Sequence, residues 1–330
     1  MSSYNHLTIH EREEIMKLLV QGHSLSQIAK DINRSKSTIS RELRRNCTGE
    51  EYSAYTAQER YKKRREICRP KKKLLLFPEL RKLIQNKMFD HQWSPQQIVG
   101  RLKFEYSSHS ISYATIYRAI YDGILDRPQK IGYRYKAVFH LRHKGTLRRQ
   151  KHFVEKSGKF KILHEICDRP AEAENRCRLG DWEADTVLGK VSGACLVTLT
   201  DRKSRYVLVG KAAHRRANEV NEVMISLLQN HPHLSITPDR GKEFSAHEKV
   251  TAALDNVPFY FPLPRHPWQR GTSENTNGLL REYFPKYKSL EDVSTVHIAK
   301  CVYELNMRPR KCLGYRTPYE VYFSKVLHLV

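Results

Sequence analysis

Long apolar runs are missing from this 330-residue chain: no stretch of eighteen occurs, and Met1 to His10 has no charged start leading into an apolar segment. Neither a membrane span nor a secretory signal is expected, so a cytoplasmic placement follows. Paired cysteines are missing as well. The seven cysteines, at positions 47, 68, 167, 177, 195, 301 and 312, are odd in number and form no C-x-x-C, which excludes a disulfide framework and a local zinc site. Histidine is plentiful, but no pair at i, i+4 encloses a Glu in the metalloprotease manner, so that pattern is absent. Acidic residues are scarce, with 35 Asp+Glu against 59 Lys+Arg, a net charge of +24.

That excess is unevenly spread. Residues 1–150 hold 31 Lys+Arg and 14 Asp+Glu (31 − 14 = +17), whereas residues 151–330 hold 28 and 21 (28 − 21 = +7). A front half built to neutralise a polyanion and a back half that keeps acids for chemistry would produce this asymmetry; an ordinary basic or ribosomal protein is the plain alternative. With 39% hydrophobic residues the chain can bury a substantial core, and its length suits two or three domains.

In the front half, Thr8 and Glu11 form a capping-box pattern ahead of Ile15, Leu18 and Leu19, with Gly22 as a stop. Ser24 and Gln27 repeat the pattern ahead of Ile28, Ala29 and Ile32, and a turn at Asn33-Arg34 leads to a third helix from about Ser35. Three short helices with a tight final turn predict a helix-turn-helix. On the third helix Ile39 and Leu43 face inward, leaving Lys36, Ser37, Ser40, Arg41, Arg44 and Arg45 to reach phosphates and base edges. A merely solvated basic face is the alternative.

A second module begins at Trp93, with Ser94 as N-cap, Pro95 at the first helical position and Gln97 closing a capping box. Ser112 caps another helix, on which Tyr113, Thr115, Tyr117 and Arg118 are candidate DNA-facing residues, although tyrosines can equally pack a bundle. Arg60 to Lys73 is opposed only by Glu66 and reads as a phosphate-tracking arm; Arg127 to Lys161 reads as a second basic linker. The organisation expected is therefore a first helix-turn-helix at 1–50, a basic arm at 51–78, a second module at 79–126, a basic linker at 127–175 and a catalytic domain at 176–330.

After Arg178 the texture changes to short runs rich in β-branched residues: Trp182 to Leu188, Cys195 to Thr200 and Tyr206 to Val209. A helix over Ala217 to Gln229 and a strand at Leu234 to Thr237 follow. The fold class expected is multidomain, all-α modules followed by an α/β domain with a mixed sheet flanked by helices. Three acids punctuate it: Asp185 within the first strand, Asp239 at the end of a later one and Glu274 at a helix start. An acid in mid-strand needs a partner or a cation, because an isolated buried charge is costly. Alternation puts Asp181 and Glu183 on the same face as Asp185, so either could compete for that role.

The segments GDWEADTV (Gly180 to Val187), DRGKEF (Asp239 to Phe244), PWQRGTSENTNGLLREYFPK (Pro267 to Lys286) and NMRPRKCLGYRTPY (Asn306 to Tyr319) together resemble the insertion sequence 30 family of bacterial DDE transposases. The amino-terminal module resembles that family's helix-turn-helix, so the likeness covers nearly the whole chain and is weakest over roughly 125–175. It implies an RNase H-like, integrase-type catalytic domain with Asp185, Asp239 and Glu274 as catalytic triad and metal ligands, the last two 274 − 239 = 35 residues apart. Arg240 departs from the wider superfamily, which often has Asn there; a cation beside a metal ligand could weaken metal binding or hold the scissile phosphate.

Three carboxylates suit phosphodiester chemistry with two Mg²⁺ ions, for which Mn²⁺ can substitute. Asn277, Gly278 and Arg281 share the Glu274 face of their helix and are expected to meet DNA, with Arg270 in the preceding loop also near substrate. Partners expected are double-stranded DNA, as element terminal inverted repeats and target, and at least one further copy of the chain, because two ends are processed together. Two rivals remain at this point: a non-catalytic helix-turn-helix regulator and a stand-alone nuclease of the RNase H superfamily.

Overall fold

The computed structural model describes residues 5–47, 51–68, 72–105, 110–127, 135–142, 164–189, 193–264 and 266–330. The chain divides into two compact units, Met1–Leu76 and Phe77–Val330. No helix among the described residues is long and apolar enough to cross a membrane.

The first unit contains α1 (Ile9–Val20), α2 (Leu25–Asp31), α3 (Lys36–Asn46), α4 (Ala54–Cys68) and the short α5 (Lys73–Leu76). Both capping boxes form as the spacing predicts, and Ser35 caps α3. Ile15, Ile28 and Ile39 are fully buried at the centre of the bundle. Much of the segment expected to be a trailing basic arm is instead α4, which packs along α1. Its buried residues are the small Ala54 and Ala57, so it lacks the apolar stripe by which a helix is recognised. Arg12, wholly buried, closes the bundle: it donates to Glu42 (2.7 Å), to the Leu7 carbonyl and to Gln58 of α4 (both 2.6 Å).

The second unit begins with α6 (Pro78–Phe89), α7 (Pro95–Phe104) and α8 (Tyr113–Tyr121), continues through α9 (Ala171–Glu174), and then forms the sheet. β1 (Asp181–Leu188), β2 (Cys195–Asp201) and β3 (Val207–Ala212) make an antiparallel meander. After α10 (Ala217–Leu228), β4 (Ser235–Thr237) joins β1 in parallel, giving the order β3-β2-β1-β4. α11 (His247–Ala253), α12 (Gly271–Tyr283), α13 (Thr295–Asn306) and α14 (Pro318–Tyr322) complete the unit. This is the mixed sheet with flanking helices that the strand pattern led us to expect. One face buries Trp182, Val197, Val220, Met224 and Phe244; the other packs Val187 and Leu196 against Leu280 of α12, Phe284 just after it and Ile298 of α13.

Residues 79–126 fold inside this same unit. Arg101 of α7, with no exposed side-chain surface, makes a bidentate pair with Glu320 of α14 (2.6 and 2.7 Å). Gly100 lies so close to the Tyr315 ring that an added Cβ would stand 2.1 Å from it. Asn306 acts as a further clasp, its side-chain amide bonding both the N–H and the carbonyl of Val207 at 2.9 Å.

Candidate active site

The strand register builds the site. Glu183 of β1 lies opposite Thr237 of β4. Two residues further along β1 comes Asp185, and two residues beyond Thr237 comes Asp239, close enough for its charge to act on Asp185. Asp185 receives the Thr186 N–H (2.7 Å) and keeps 21% of its side-chain surface. Asp239, in the loop after β4, receives the Gly241 N–H (2.9 Å).

The competing acids on β1 are spent elsewhere. Asp181 accepts from Arg178 (3.0 Å) and from the Ser235 hydroxyl (2.6 Å). Glu183 accepts from Arg202 (2.6 Å) and from both the N–H (2.9 Å) and hydroxyl (3.1 Å) of Ser273. Glu183 thereby ties the first turn of α12 to β1. Asp185 is left as the β1 acid facing the opening.

Beside the two aspartates stands Arg270, which reaches Asp185 at 3.2 Å and donates to the Ala184 carbonyl at 2.7 Å. Burial pushes both acids above the ordinary carboxylate range, and the charge of Asp239 raises Asp185 further; Arg270 opposes the rise at each. A guanidinium thus fills the role of a cation beside paired hard oxygen donors, and that donor chemistry fits Mg²⁺ or Mn²⁺. Glu274 lies exposed in the first turn of α12, one residue beyond the Ser273 anchor. Among the described residues no three His, Cys, Asp or Glu side chains gather closely enough to hold a metal ion. The structure therefore brings Asp185 and Asp239 together and leaves Glu274 apart at the neighbouring helix start.

Comparison with known proteins matches residues 3–46 to a helix-turn-helix domain model. The chain is 38% identical over 96% of its length to the transposase InsI for insertion sequence element IS30A of Escherichia coli (strain K12), 83% of which is covered. It is 36% identical, again over 96% of its length, to the transposase for insertion sequence element IS4351 of Bacteroides fragilis, 94% of which is covered. The chain belongs to the insertion sequence 30 family of transposases. The catalytic core domain of BIV integrase aligns with 44% of this family member and 94% of the integrase chain, at 21% identity and a TM-score of 0.34.

In this transposase-family chain, Lys36, Ser37, Ser40, Arg41, Arg44 and Arg45 all lie exposed on α3, with Ile39 buried behind them. On α8, Tyr113 and Arg118 are exposed and Thr115 and Tyr117 half-buried, the Thr115 hydroxyl pairing with Ser112 at 2.9 Å. Arg240 turns away from the acids: it donates to the Pro262 carbonyl (2.5 Å) and approaches Glu165 (3.7 Å). The guanidinium beside the aspartates is that of Arg270. Asn277 contacts the Thr198 hydroxyl (3.2 Å) and Arg281 donates to the Leu188 carbonyl (2.5 Å), so both are tied to the sheet.

Sequence reasoning passed over Glu243. Buried, it accepts from the Thr186 hydroxyl (2.9 Å) and from Arg215 (2.6 Å), and its charge helps raise Asp239. Its position four residues after Asp239 in DRGKEF was the available signal.

Proposed function

We propose that this chain is a transposase that binds the terminal inverted repeats of an insertion sequence and performs metal-dependent DNA cleavage and strand transfer with Asp185, Asp239 and Glu274. The observation that supports the reading is the parallel β1/β4 register, which leads Asp185 and Asp239 to the same end of the sheet, with the Arg270 guanidinium 3.2 Å from Asp185. Two Mg²⁺ ions, or Mn²⁺ in their place, would be held by these carboxylates; when bound they supply the Lewis acidity that activates a water or 3′-hydroxyl and stabilises the leaving oxygen.

The chain's own residues do the rest. Asp185 and Asp239 hold hard oxygen ligands in fixed register, and Glu183 keeps the α12 start, hence Glu274, next to β1. Arg270 offsets part of the charge of the acid pair, and its guanidinium suits a phosphodiester oxygen. The exposed face of α3 and, on the second unit, Tyr113, Thr115, Tyr117 and Arg118 of α8 dock DNA, with Arg240, Asn277 and Arg281 as further candidates close to the catalytic region. Residues 1–50 and 79–126 act as docking modules, 51–78 and 127–175 as basic connections and 176–330 as the catalytic domain. Synapsis of two ends requires at least a dimer, working at the nucleoid in the cytoplasm.

A strand-transfer assay with pre-cut element ends, a target plasmid and Mg²⁺ tests this. Joined products are expected, and they disappear with EDTA. The separation of Glu274 from the two aspartates favours a second reading, a DNA-binding regulator without catalysis. Such a protein would bind the ends and leave them unjoined.

A further inference from the structure

A cleft of about 260 Å³ opens between α3 and α4. Its rim is formed by Arg41 and Arg45 from α3 and by Arg64 and Arg65 from α4. The floor includes Arg12 and Glu42, which neutralise one another at 2.7 Å. Glu42 also accepts from the Tyr52 hydroxyl (3.2 Å), so the one acid that lines the cleft among the described residues is already committed. Arg64 is anchored to the Asn46 side chain at 2.6 Å and Arg41 to the Ser37 carbonyl at 2.9 Å, which fixes two of the four guanidinium groups. Arg45 and Arg65 are exposed and make no ion pair among the described residues.

Four like charges gathered around a concave surface with no free acid among the described residues repel one another, and an anion relieves that repulsion. We propose that this cleft is a phosphate site that grips one phosphodiester of duplex DNA, with α4 as its second wall. The inference rests on the transposase reading above and extends it to a helix outside the matched residues 3–46. Guanidinium groups suit the ligand because their planar forks pair with phosphate oxygens. Duplex DNA is the source favoured by continuity: Arg41 and Arg45, one helical turn apart, belong both to the cleft and to the exposed α3 face that carries Lys36, Ser40 and Arg44. A backbone phosphate held there would set the depth and register of α3 in the groove without reading sequence.

The test uses the full chain and two duplexes, one bearing the inverted repeat that flanks the open reading frame and one of scrambled sequence, with binding followed against salt. Arg45→Gln and Arg65→Gln should each weaken binding to both duplexes and lower the salt slope by about one. Because the two residues share one phosphate, the double variant should lose little more slope than either single one, and Arg65→Lys should keep most of it. Two independent contacts would instead lower the slope by about two with additive losses, and that outcome overturns the shared cleft. Unchanged binding in Arg65→Gln overturns it as well. Failure of the unmodified chain to bind either duplex would overturn this proposal together with the transposase reading, whereas binding with unaltered Arg45 and Arg65 variants would overturn the cleft alone.

Discussion

The Arg270 guanidinium lies 3.2 Å from the Asp185 carboxylate while the neighbouring Asp239 carboxylate feels the same positive charge. One arginine therefore acts on both acids, with Arg215 adding to its effect at Asp239. Arg270→Ala should destabilise the protein in EDTA by about 1–3 kcal/mol, because the acids lose their counter-charge. Added Mn²⁺ should then raise the melting temperature more in the variant than in the unmodified chain. Equal shifts in thermal scans would show that Arg270 and the cation do not share the acid pair.

Asp239→Asn or Glu274→Gln should abolish cleavage and joining while end binding stays within a few fold, since docking and chemistry use different elements. Gel-shift and strand-transfer measurements on the same preparations separate the two. Full joining activity in Glu274→Gln would remove it from the triad, and Glu243 would be the next acid to test.

Glu320 meets Arg101 where neither side chain is more than 1% exposed. Glu320→Gln leaves that guanidinium without its bidentate partner, although Glu105 still contacts it at 2.5 Å. A loss of about 3 kcal/mol in denaturant unfolding is expected, the lower end for breaking a buried pair. A loss under about 1 kcal/mol would mean that the pairing of α7 with the carboxy-terminal segment contributes little.

Burial lowers the His231 and His247 imidazoles from 6.5, favouring the neutral rings. Their contribution to stability is thus complete above about pH 6.5 and is lost as pH falls from there through the depressed folded values. The melting temperature should decline between pH 6.5 and 5, and His231→Gln, which removes the ring bonded to the Tyr322 hydroxyl at 2.9 Å, should flatten part of that decline. An identical pH profile in the variant would assign the acid sensitivity elsewhere.

Much of this architecture was legible beforehand. The capping boxes at Thr8, Ser24 and Ser94, the strands around Asp185 and the helix over residues 217–228 depend on contacts three or four residues apart, or on alternation within one strand, and such short-range rules are written in any short window of sequence. The exposed set on α3 followed from the same periodicity. α4 escaped because it buries alanines, so its pattern of charges looked like an arm.

What sequence alone determined, then, is which side chains are available: three separated acids, a basic front half and helices with defined starts. Which of those charges stay free was decided only by tertiary closure. Asp181 and Glu183 match Asp185 in strand phase, yet Ser235, Arg202 and Ser273 occupy the first two from 54, 19 and 90 positions away. Arg240 adjoins Asp239 in the chain but turns to Pro262, while Arg270 arrives from a different loop to face Asp185. Charges interact through space and not along the backbone, so their pairing is set when the strands and helices dock, and no local pattern contains that information.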